Sequence, residues 1–160
     1  VEKVEFDNTK ITSTYKHYIL RIHKIIPVAD NVGLNLAFST NNGSSFTNVA
    51  TARLYSRVGG GPSSGHEHQT ATTDGLYLGY SLGNDADIGQ SAEICIFGSQ
   101  DTNYNYFDVK GFISGKHTSE HYTWWVSGYV NHAKTAINFL KLSFTSGNIA
   151  KHNLSLYGIK

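Results

Sequence analysis

Two imidazoles and a carboxylate stand together at His66-Glu67-His68, and in an extended chain the two histidines share a side, as metal ligands must. Two ligands do not complete a site. The other histidines, at 17, 23, 117, 121, 132 and 152, are scattered, so no metal and no cofactor is assigned, and His66, Glu67 and His68 are read as polar contacts. Asn84-Asp85-Ala86-Asp87 has the alternating oxygens that suit calcium, but the downstream glutamate of an EF-hand loop is missing and a turn uses the same residue types. A turn is the reading taken. Glu93 with Asp101, or Asp108 with Glu120, could pair as acid and base, yet 12 acidic residues always supply such pairs. There is no Gly-x-Ser-x-Gly elbow, and Gly59-Gly60-Gly61 lacks the following Lys-Ser or Lys-Thr of a phosphate loop. No catalytic residue is assigned, and the chain is not expected to be an enzyme. The single cysteine, Cys95 in Ile94-Cys95-Ile96-Phe97, excludes an intramolecular disulfide and a multi-cysteine zinc site and reads as a small buried hydrophobe.

Aromatic residues offer a different chemistry, stacking. Tyr104, Tyr106 and Phe107 form one group and Tyr122, Trp124, Trp125 and Tyr129 another. Adjacent residues of a strand face opposite ways, so if one of Trp124 and Trp125 enters the core, the other lies outside, where it can stack on a sugar or a neighbouring subunit. Trp124, Trp125, Tyr104 and Tyr106 are the candidate stacking surfaces, with His66, Glu67 and His68 beside them in a loop.

The elements that must position these residues read as strands. Tyr18, Leu20 and Ile22 alternate with Arg21 and His23, and Pro27 closes the segment. Leu34, Leu36 and Phe38 alternate with Asn35 and Ser39 before Asn41-Asn42-Gly43-Ser44, residues that tolerate the positive φ of a tight turn, so a hairpin is expected there. Further candidates cover 4–7, 50–58, 76–82, 92–97, 104–113, 122–130, 136–144 and 153–159. Over Ile137 to Phe144 the alternation slips, which predicts either a bulge near Phe139 or cover on both faces. The Gly-rich and polar stretch from Gly59 to Gly75 reads as one long loop. No window sustains a helical apolar period, so the fold class is all-β: an antiparallel β-sandwich of about eight to ten strands.

Composition agrees. The 160 residues are 39% hydrophobic and 16% charged, the balance of one domain over 1–160, standing alone or within a longer chain, since methionine is absent even at position 1. The 10 Tyr, 8 Phe and 2 Trp suit pleated, half-buried surfaces. With 13 Lys and Arg against 12 Asp and Glu, and no charge block, nothing favours nucleic acid as a partner. No apolar run approaches the ~20 residues of a membrane span, so membrane insertion is not expected.

Three blocks carry a resemblance. They are Tyr15-Lys16-His17-Tyr18-Ile19-Leu20-Arg21-Ile22, the run from Ile26-Pro27-Val28-Ala29-Asp30 to Phe38-Ser39-Thr40-Asn41-Asn42-Gly43-Ser44, and the ending with Gly147-Asn148-Ile149 and Leu156-Tyr157-Gly158-Ile159-Lys160. Together they resemble a family of β-sandwich proteins from tailed bacteriophages, over the first and last thirds of the chain. The resemblance implies a jelly-roll-like virion protein of the tail-fibre or receptor-binding type, assembled in the host cytoplasm. It implies a homo-oligomer, a trimer, with other virion proteins and a host-surface glycan or receptor as partners. The alternatives are a capsid or tail decoration or adaptor protein and, from the enzyme class, a glycan depolymerase with acids between subunits.

Overall fold

The computed structural model describes residues 1–58, 63–72, 75–85, 89–117 and 120–160, with side chains for all of these except 51–58, 63–64, 66–72, 80–81, 116–117 and 120. Every regular element among them is a strand: β1 (Lys3–Phe6), β2 (His17–Pro27), β3 (Val32–Ser39), β4 (Val49–Val58), β5 (Ser63–Thr72), β6 (Leu76–Leu82), β7 (Gln90–Phe97), β8 (Tyr106–His117), β9 (Glu120–Asn131), β10 (Phe139–Phe144) and β11 (Ile149–Ile159). They form a four-stranded sheet, β1-β10-β3-β6, and a seven-stranded sheet, β11-β2-β7-β8-β9-β4-β5, and every pairing is antiparallel.

This order is that of a jelly roll. An eight-stranded jelly roll distributes its strands as 1-8-3-6 in one sheet and 2-7-4-5 in the other. Here β10 takes the eighth place, and the meander β7-β8-β9 fills the place of a single seventh strand. β11 is added beyond β2. The expected all-β sandwich is therefore the fold, and the inserted meander is what widens one sheet to seven strands.

The two sheets meet through the inward residues of each strand. Leu20, Ile22, Ile94, Ile96, Val109, Ile113, Trp124 and Val126 of the larger sheet pack with Leu34, Leu36, Phe38, Leu76, Leu78, Leu140 and Leu142 of the smaller. Closeness at the centre depends on Gly79, where a Cβ would lie 3.0 Å from the Trp124 ring. In β7 burial alternates residue by residue, as one wet face requires, whereas β3 is buried along its whole length.

Three expectations are corrected here, and the alternative left open at Phe139 is decided for cover on both faces. Asn35 and Ser39 do not form a wet face on β3; both are buried, and the Ser39 hydroxyl donates to Asn41 Oδ1 at 2.8 Å. The turn at Asn41–Ser44 exists, with positive φ at Asn42 (56°) and Gly43 (83°), as a type I′ turn requires. It closes no hairpin, because β3 bonds to β10 and β6 while β4 lies in the other sheet. A strand buried over its whole length needs neighbours on both sides, and the local turn is satisfied instead by Ser39, Asn41 and Ser45 side chains. The Gly59–Gly75 stretch is not one loop: Ser63–Thr72 is strand β5, in register with β4. Its polar, Gly- and Ser-rich sequence carries no apolar alternation because it forms the edge of the larger sheet, where backbone pairing on one side suffices. At Phe139 there is no bulge; β10 runs in unbroken register with β3, and Phe139 and Leu140 are both buried, so both faces are covered there.

Candidate ligand-binding face

The outer face of the seven-stranded sheet gathers the exposed aromatic residues. On the β8–β9 hairpin, successive outward rungs pair Tyr106 with Asn131, Asp108 with Tyr129, Lys110 with Ser127, Phe112 with Trp125 and Ser114 with Thr123. Tyr106 (53% exposed), Tyr129 (45%), Phe112 (45%) and Trp125 (52%) all present their rings to solvent. Tyr106 and Tyr129 meet edge to face with centroids 5.3 Å apart. The Phe112–Trp125 rung lies four residues along the strands from the Asp108–Tyr129 rung, about 14 Å away. Between them stand Lys110 and Ser127. On the neighbouring strand Phe97, also exposed, pairs with Asp108, and Cys95 pairs with Lys110.

The sequence candidates divide on this map. Trp125 and Tyr106 lie on the face, and Tyr104 is exposed in the segment leading into β8. Trp124 is removed from the stacking set: it is 2% exposed and stacks on Tyr122, rings nearly parallel and centroids 5.1 Å apart, on the core side of β9. The alternation of a strand forces this split between neighbours. His66, Glu67 and His68 sit on β5, in register with Leu54, Arg53 and Ala52 of β4, two strands beyond the β8–β9 hairpin, and not in a loop. Their side chains lie outside the described residues, as do Ala86 and Asp87 of the expected turn. Asn84 of that turn donates through its backbone to Asp30 and through its side chain to the Val28 carbonyl.

The electrostatics of the face are mild. Arg21 on β2 binds Glu93 on β7 at 2.6 Å and lies over the Tyr157 ring, 5.5 Å from its centroid. The contact with Glu93 raises the Arg21 pKa and keeps the guanidinium charged. Cys95 is not buried as expected; it is on the outward side of β7 and half-exposed, yet partial burial, with the Glu93 charge adding, pushes its thiol above the ordinary value. That disfavours the thiolate a nucleophile needs.

Other chemistry is not assembled among the described residues. Ser114 Oγ lies 2.9 Å from His121 Nε2, a hydroxyl–imidazole pair, but no described carboxylate orients the imidazole and the pair stands on an open sheet. Glu93 is engaged by Arg21, and Asp108 and Glu120 lie at opposite ends of the β8–β9 hairpin. No group of three or more His, Cys, Asp or Glu gathers among the described residues. The arrangement suits stacking and hydrogen bonding on an exposed sheet face.

Sequence reasoning missed Phe112, Tyr129 and Phe97 as members of the face. The signal was present in the alternation counted from Tyr106, since 106, 108, 110 and 112 share a side, and Tyr129 and Trp125 do likewise on β9. What the sequence lacked was the pairing that brings these strands together. No family model matches the chain, and no curated protein and no solved structure matches it either.

Proposed function

We propose that this protein is a non-enzymatic phage virion component, a tail-fibre or spike domain that adheres to a host-surface glycan through the outer face of its seven-stranded sheet. The observation that carries the reading is the ladder of half-exposed rings, Tyr106, Tyr129, Phe112 and Trp125, interleaved with Asp108, Lys110, Ser127 and Thr123. Sugars present apolar C–H faces and a rim of hydroxyls, so a binder needs flat rings and nearby donors and acceptors in alternation. A strand ladder supplies that alternation every second residue. The family-like blocks at the two ends of the chain supply the virion setting.

The test is binding of the purified protein to immobilised envelope polysaccharide and to a panel of defined oligosaccharides. Binding that falls about tenfold in Trp125→Ala, with the melting temperature unchanged, supports the reading. No binding to any glycan at millimolar concentration refutes it. A second reading, a capsid or tail decoration protein, is favoured by Phe97 and Phe112, exposed rings without a hydroxyl. Density for the chain on the shell or at a tail junction of purified particles, rather than at a fibre tip, decides for that reading.

A further inference from the structure

At the end of the larger sheet where the Tyr106 rung lies, a pocket of about 290 Å³ opens between the start of β2 and the β7–β8 loop. Lys16 and His17 line it from one side, and Gly98, Asp101, Thr102 and Asn103 of the loop from the other. That volume is at the lower limit of small-molecule sites, ~300–1,000 Å³, and gives room for one ring and not for a chain.

The loop wall is held by its own hydrogen bonds. The Asp101 N–H donates to the Gly98 carbonyl at 2.9 Å, the Asn103 N–H to Asp101 Oδ1 at 2.8 Å, and the Gln100 amide to the Ile137 carbonyl at 2.6 Å, which ties the loop to the segment before β10. Gly98 has φ of +68°, and a Cβ there would meet no atom within 4 Å, so open space lies directly against the backbone. The Gly98 N–H donates to His17 Nδ1 at 2.9 Å. Nδ1 is therefore the bare nitrogen of the neutral ring and the proton sits on Nε2, a donor with no partner among the described residues. Lys16 and Asp101 line the same pocket without a salt bridge to each other or to any other described residue.

This set of groups fits an uncharged, hydroxyl-rich ring. Lys16 and His17 Nε2 donate, Asp101 accepts, and Thr102 and Asn103 do both. An anionic ligand would meet the Asp101 carboxylate and a cationic one the Lys16 ammonium, whereas each sugar hydroxyl both donates and accepts and can use either. Beside the pocket stands Phe97, 43% exposed and edge to face with His17 at 6.1 Å, a ring on which the C–H face of a sugar can rest. Phe97 also pairs with Asp108, so the pocket adjoins the aromatic ladder at its Tyr106 end.

We propose that this pocket binds a single neutral pyranose, the unit of the surface glycan that anchors it at the Tyr106 end of the ladder. The inference rests on the adhesion reading above and narrows it to one ligand class at one place.

Nuclear magnetic resonance of the isotope-labelled full chain, titrated with methyl glycosides of glucose, galactose, mannose and N-acetylglucosamine and with glucuronate, provides the test. At least one neutral glycoside is expected to shift the amide signals of Gly98, Asp101, Thr102 and Asn103, with saturation in the millimolar range. Asp101→Asn keeps an oxygen for the Asn103 N–H but loses the charge, and is expected to weaken that binding about tenfold, as the loss of one charge-assisted hydrogen bond would. Gly98→Asn tolerates the left-handed φ and fills the open space, and is expected to abolish binding. Glucuronate binding more tightly than every neutral glycoside, or neutral binding that either variant leaves unchanged, overturns the inference. A titration that moves only the Trp125 indole signal, or no signal, overturns it too. Retention on immobilised polysaccharide separates this inference from the reading it rests on. Retention with silent loop signals overturns the pocket and leaves adhesion through the ladder standing, whereas loop shifts without retention support the pocket and overturn adhesion through the ladder.

Discussion

Replacing Trp124 and Trp125 in turn by alanine separates the two sides of β9 with one pair of measurements. Trp124 is 2% exposed, stacks on Tyr122, and fits against Gly79, where a Cβ would already lie 3.0 Å from the ring. Removing it leaves a cavity between two hydrogen-bonded sheets that collapse little, so the loss belongs in the ~3–5 kcal/mol range of buried Trp-to-Ala changes. For a domain of this size 1 kcal/mol corresponds to about 2–4 °C, which puts the fall in melting temperature at roughly 6–20 °C. Trp125 is 52% exposed, and its replacement belongs with surface changes of ~0.5 kcal/mol or less, under about 2 °C. Thermal unfolding followed by circular dichroism reads both. If Trp125→Ala falls as far as Trp124→Ala, or further, the assignment of the two indoles to core and ligand face is refuted. Combining the variants with glycan binding completes the separation, since Trp125→Ala is expected to lose binding while remaining folded.

Three further outcomes follow from the packing. The buried Tyr18 hydroxyl accepts from the Thr12 N–H at 2.8 Å and donates to the Thr12 carbonyl at 2.7 Å, so Tyr18→Phe strands both groups and should cost about 1–2 kcal/mol by urea unfolding. An unchanged midpoint would show that water replaces both bonds. Gly43 has φ of +83° with the Phe139 ring 3.0 Å from where a Cβ would stand, and Gly43→Ala should cost at least ~1–2 kcal/mol; a neutral effect would mean that the turn rearranges freely. Because partial burial raises the Cys95 thiol pKa, its thiolate is scarcer than that of a free thiol at pH 8, and alkylation there should be slower than for a cysteine peptide. The rate should approach the peptide's only at more alkaline pH, and mass-spectrometric labelling that is as fast at pH 8 contradicts the cause.

The parts legible in the sequence are those fixed by a single strand. Alternation in β7 and β9 was enough to require that Trp124 and Trp125 part company, because a pleat leaves no other choice. What pairing decides was hidden. β5 has few apolar residues, as an edge strand can, and its sequence is that of a loop. The Asn-Gly turn after β3 carries the local chemistry of a hairpin, yet β3 needs β10 and β6 beside it and the chain crosses to the other sheet. The ladder was half legible for the same reason: Tyr106 and Trp125 are prominent by type, but Phe112 becomes part of a site only when β8 lies against β9 in a particular register.

The inserted meander links the fold to the proposed role. Phe97, Tyr106, Phe112, Trp125 and Tyr129 all come from β7, β8 and β9, the strands that replace one strand of an eight-stranded jelly roll. Side chains fixed on hydrogen-bonded strands hold their spacing better than side chains on loops, which favours a ligand with repeating units.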